Sequence, residues 1–125
     1  MKNMLFIRLG KYLINLPNVM EIYLGSEEDY MEVCYGGDMN NTQIDPDELE
    51  EGELERFKAC ILNLKDENVL FVKLGSYLVN LPHVLEIRFC EEEVEVYYDD
   101  DETRAIDKKD IEPNALKELN EHLLA

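Results

Sequence analysis

The chain has 125 residues, and 29 carboxylates against 12 lysines and arginines give it a net charge of −17 at pH 7. A surface so acidic repels nucleic acid and anionic membrane and draws basic partners, while an apolar content of 46% places that charge on a folded body and not on a disordered chain. No run approaches the roughly 18 apolar residues of a membrane span, and Met1-Lys2-Asn3 leads into a strand-like stretch instead of a secretion signal, so a cytoplasmic protein with no membrane partner is expected.

In chain order, the first segment is one that returns. Leu5 to Ile22 reappears as Leu70 to Ile87, and between residues 4–24 and 69–89 12 of 21 positions are identical. This reads as a tandem duplication. Leu5, Ile7 and Leu9 alternate with Phe6 and Arg8, as Leu70, Val72 and Leu74 do with Phe71 and Lys73, which predicts a strand in each copy. Gly10 and Gly75 supply the turn of a hairpin whose second strand runs over Tyr12–Leu16 and Tyr77–Leu81. Pro17 and Pro82 cannot donate to a ladder and are expected at a bend before strands at Val19–Leu24 and Val84–Phe89.

Acidic turns follow, and then alternating strands in which Met31, Val33 and Tyr35 match Val94, Val96 and Tyr98. Thr42–Ile44 and Arg104–Ile106 are each placed as a short edge strand. Asp45-Pro46-Asp47-Glu48 carries a cap, a proline and a first-turn acid, a helix start. Leu54, Phe57 and Ile61 then keep helical spacing, repeated by Leu116, Leu119 and Leu123, with Gly52 expected to kink the first helix or split it into two short pieces.

The expected fold class is therefore α+β, a tandem duplication of antiparallel strands and a closing helix. Its repeats span 1–64 and 65–125, related by a pseudo-twofold axis and joined in one compact domain. A single copy of about 60 residues would bury only about 60% of its unfolded surface, which favours a shared core.

Chemistry-bearing motifs are few. Cys34, Cys60 and Cys90 are odd in number and lack close spacing, so free thiols are expected, with no zinc site. His83 and His122 read as a turn residue and an exposed helix residue, not as catalytic bases. Asp99-Asp100-Asp101-Glu102 begins like a calcium loop but has Arg104 where the glycine of the sharp turn belongs. Gly36-Gly37 is an isolated pair and no phosphate loop. No enzyme, cofactor or metal is expected.

The information lies in the carboxylates. Between Glu21 and Glu55 stand 13 acids and no lysine or arginine. Asp47, Glu51 and Glu55 recur at four-residue spacing, which would align like charges along one helix edge. Glu91, Glu93 and Glu95 would share one strand face. Glu27, Glu28, Asp29, Glu32, Asp47, Glu48, Glu51, Glu55, Glu91, Glu93, Glu95, Asp99, Asp100 and Asp101 are the expected partner-binding surface. In size and charge pattern the chain resembles small acidic phage-encoded nucleic-acid mimics of the anti-CRISPR and anti-restriction kind. That resemblance implies an inhibitor that occludes the basic groove of a nucleic-acid-handling protein and does not itself bind nucleic acid. The alternative is a regulatory or structural interaction module whose acidity serves solubility; a homodimer is allowed by either.

Overall fold

The computed structural model describes residues 4–25, 30–36, 41–99 and 101–123, the last two without their side chains. It is an α+β arrangement rich in sheet. The first half comprises β1 (Phe6–Leu9), β2 (Tyr12–Asn15), β3 (Val19–Tyr23), β4 (Met31–Tyr35), β5 (Thr42–Ile44) and α1 (Glu53–Asn63). The second comprises β6 (Phe71–Leu74), β7 (Tyr77–Asn80), β8 (Val84–Phe89), β9 (Glu93–Tyr98), β10 (Thr103–Asp107) and α2 (Pro113–Leu123), the same order again. The hairpins form as the glycines require: Gly10 and Gly75 sit at φ +59° and +62°, where a side chain is strained.

Each proline bend is a turn of 3-10 helix, Leu16–Asn18 or Leu81–His83, followed by a register shift at Val19/Glu21 and at Val84/Glu86. The helix start at Asp45 is real but short. Asp45 Oδ1 accepts from the Asp47 amide and caps one 3-10 turn, Pro46–Glu48, after which left-handed Gly52 (φ +78°) precedes α1. The second half repeats the device, with Asp107 capping Lys108–Asp110 before α2. Asp47 and Glu51 therefore lie ahead of α1, and the expected carboxylate row along one helix edge does not form.

The strands make a two-stranded β1-β2 ribbon, a three-stranded β10-β9-β8 sheet and a five-stranded sheet of order β5-β4-β3-β7-β6. The last joins the halves: β3 runs antiparallel to β7, with Glu21 opposite Val79, Ile22 opposite Leu78 and Tyr23 opposite Tyr77. A twofold axis would equally pair β8 with β2. Among the described residues β2 pairs only with β1, and β8 only with β9. The halves are therefore placed head to tail, and the expected pseudo-twofold is absent.

The five-stranded sheet is covered on both faces. On one lies a core of Leu9, Ile14, Ile22, Val33, Phe57 and Ile61, completed by Val69, Phe71 and Leu78 from the second half. On the other lies a core of Leu74, Val79, Val94, Val96, Ile106 and Leu119, completed by Met20 and Cys34 from the first. Phe57 of α1 and Leu119 of α2 are buried as their matching spacing predicts. Ile7 and Val72, also expected as an equivalent pair, are both only half-buried.

Candidate functional site

Double coverage buries β3 from Val19 to Ile22, and the sequence leaves one carboxylate there. Glu21 is 1% exposed within Val19-Met20-Glu21-Ile22. A buried charge persists only when paired and hydrogen-bonded, and the second half supplies the partners. Arg104 on β10 donates from Nη2 to Glu21 Oε1 at 2.6 Å and from Nε at 3.0 Å, while the Tyr98 hydroxyl donates to Oε2 at 3.0 Å. The guanidinium lies 4.8 Å over the Tyr77 ring, whose centroid is 5.3 Å from that of Tyr23.

The electrostatics are those of a closed clamp. Hydrogen bonding to Glu21 raises the Arg104 pKa, so the cation is held. Burial, and then the Glu21 charge, raise the Tyr98 phenol pKa. The adjacent Cys34 thiol is pushed up to about 12, first by burial and next by Glu21. A protonated thiol and a protonated phenol are poor nucleophiles at neutral pH. The arrangement can fix two halves in register; it offers no activated group.

A second tie joins the halves at the surface. His83 Nε2 donates to the Pro17 carbonyl at 2.6 Å, and its Nδ1 lies 3.3 Å from Asp99 Oδ2. The turn assignment of His83 holds, and its partners leave neither ring nitrogen directed at a nucleophile. The side chain of His122 lies outside the described residues. A cleft of about 340 Å³ opens between α2 and β6, where Lys73, Asp110, Asn114 and Glu118 stand among Phe71, Val72 and Leu119.

The described members of the expected acidic face stand on several elements. Glu27, Glu28, Asp29 and Asp100 lie outside the described residues. Glu32 accepts from Asn41 Nδ2 at 2.8 Å, and Glu55 pairs with Lys58 within α1. Asp47, Glu48 and Glu51 are exposed around the turn before α1. Glu91 stands in the β8–β9 turn, separated from Glu93 and Glu95, which are half-buried on β9. Cys90 Sγ lies 3.4 Å from Glu95, and these two with Glu93 hold potential ligand atoms within 4.8 Å of one another. Asp99 is engaged by His83, and Asp101 takes a left-handed φ of +71° in the next turn. The three thiols are free: Cys34 buried, Cys60 exposed and Cys90 half-buried.

Sequence reasoning missed Glu21, Tyr98 and Arg104. One signal was present, a lone acid inside an apolar strand.

No protein-family model matches the chain, and no curated protein is significantly similar to it. A solved structure is: a LytTr DNA-binding domain of a response regulator from Bacillus cereus superposes with a TM-score of 0.59 at 15% identity, over 95% of this chain and 97% of that one. The chain has a LytTr-type fold. This overturns the resemblance to phage-encoded nucleic-acid mimics, and with it the inhibitor reading and its place in phage defence, because the matching fold is that of a domain that binds DNA. The partner expectation falls as well: a basic nucleic-acid-handling protein in place of any direct nucleic-acid contact is not what the neighbour of the LytTr-type fold points to. Among the described residues, Asp47, Glu51 and Glu55 do not form the row expected along one helix edge. Among the described residues no helix is long and apolar enough to cross a membrane.

Proposed function

We propose that this chain is a regulatory module of the LytTr type, which acts by binding DNA and performs no chemical turnover. One observation carries the reading: the likeness to a DNA-binding domain spans 95% of the chain and is not confined to a common substructure. The closed state of the Glu21–Arg104–Tyr98 clamp and the occupied ring of His83 favour binding over catalysis. A cytoplasmic setting suits that role.

Charge sets how such binding must work. A protein that neutralises Z phosphates loses affinity with salt at a logarithmic slope of about −0.9Z. The sequence, of net charge −17, sets two cations side by side at one place, Lys108-Lys109, and Lys109 is already near Asp107 at 3.6 Å. Base-edge and backbone-amide contacts must then supply most of the affinity, so sequence preference should be high relative to non-specific binding. Selection from a random duplex pool should recover a defined motif; recovery of no duplex above background would overturn the reading.

We further infer that the two halves, 1–64 and 65–125, derive from one duplicated unit within a single compact domain. The support is the 12 identities in 21 positions together with the shared order of five strands, a capped 3-10 turn and a helix.

A further inference from the structure

The exposed large apolar residues of the hairpin and of β8 follow a rule. Met4, Phe6 and Leu13 are 74, 54 and 69% exposed, and Leu85 and Phe89 are 73 and 46%. The repeat aligns the first three with Val69, Phe71 and Leu78, which are at most 3% exposed. It aligns the other two with Met20, at 4%, and half-buried Leu24. The covered members lie where the halves meet. Val69, Phe71 and Leu78 complete the core of the first half, Met20 completes that of the second, and the Leu24 amide donates to the Ser76 carbonyl at 2.7 Å. Each half thus carries a donor surface on its third strand and an acceptor surface on its hairpin. Head-to-tail placement uses one of each and leaves the other of each open.

We propose that a second copy of this chain docks head to tail, its β8 antiparallel to β2 of the first, in the register that β3 and β7 use internally. The internal pairs, Glu21 with Val79, Ile22 with Leu78 and Tyr23 with Tyr77, become Glu86 with Ile14, Ile87 with Leu13 and Arg88 with Tyr12 between copies. Unpaired strand edges are templates for such pairing, with main-chain bonds giving affinity and side-chain pockets giving specificity. Asn15 is prepared for it. Its Oδ1 accepts from Leu5 as that of Asn80 accepts from Leu70, and the Asn80 amide donates across the junction to Val19 at 2.8 Å. The Asn15 amide would meet the Val84 carbonyl in the same way.

Charge is complementary along the hairpin itself, although Glu48, Glu50 and Glu53 stand beside Arg8 and Lys11. Residues 4–20 hold Arg8 and Lys11 and no carboxylate, whereas the turn after β8 carries exposed Glu91 and Glu92. In the internal register Leu24 lies beside Ser76, which sets Phe89, next to that turn, beside Lys11. The two surfaces differ, so the contact is heterologous, and copies add in one direction until a ring closes or growth stops. The inference rests on the equivalence of the halves and is independent of DNA binding.

Light scattering on the sized full chain tests it at about 0.15 M salt, where the Debye length is about 8 Å. The wild type should exceed the single-chain mass of 14.6 kDa as concentration rises into the millimolar range. Leu13→Lys and Leu85→Lys alter side chains exposed in the single chain, so each should fold as the wild type does and remain at 14.6 kDa. Mixed together, they retain one intact pair of surfaces and should give two chains and no more. A wild type that stays at single-chain mass, variants that assemble as it does, or a mixture that remains monomeric would each overturn the proposal.

Discussion

Glu21 concentrates the physics of this molecule in one side chain. A carboxylate left in the interior without its cation costs about 3–5 kcal/mol, while exchange of the whole buried set for apolar groups can be neutral. Arg104→Ala should therefore destabilise the chain by about 3 kcal/mol in urea melts. Glu21→Leu combined with Arg104→Met should recover most of that loss. Equal losses in the single and double variants would mean that the ion pair does not account for the cost. Glu53 makes a different prediction, about pH. Its carboxylate accepts from the Gly10 amide at 2.7 Å and from the Glu50 amide at 2.9 Å, and these bonds, that to Gly10 first, hold its pKa below the ordinary 4.5. A depressed folded pKa means that the unfolded chain binds more protons, so this stability is present above pH 4.5 and lost as pH falls through the lower folded value. Glu53→Gln should flatten the acid limb of the urea midpoint against pH. An unchanged limb would exclude Glu53 as its source.

At the scale of elements, the local signals were legible and the long-range ones were not. Alternation, the turn glycines and the prolines located the strands and bends, because each depends on neighbours in sequence. Asp45-Pro46 signalled a start that proved to be one 3-10 turn, since Leu49 goes extended (φ −104°, ψ 151°) directly after it and α1 begins only beyond left-handed Gly52. Pairing of β3 with β7 was not legible; nothing local distinguishes an edge covered by the distant half from one left open. For the same reason the clamp was missed, its partners lying 77 and 83 positions from Glu21. The two helices should report equivalent packing. Phe57→Ala should cost about 3–5 kcal/mol and Leu119→Ala about 2–5. A loss below about 1 kcal/mol at either site would show that its helix is not packed into the core described.

For the whole molecule, composition misled where topology did not. Total charge suggested a surface that imitates nucleic acid, but the fold sends Glu21 inside and gives Glu32, Glu55 and Asp99 their own partners. What survives is a LytTr-type fold with an unusual charge, and the DNA binding proposed for it would depend little on phosphate contacts. Fluorescence anisotropy with the selected duplex, titrated between about 0.05 and 0.2 M salt, measures this directly. The account predicts saturable binding with two or three phosphates neutralised, an affinity loss of roughly 12- to 40-fold over that range. Absence of binding at low salt, or a loss of about 10³-fold or more as for proteins with six to ten phosphate contacts, would contradict it.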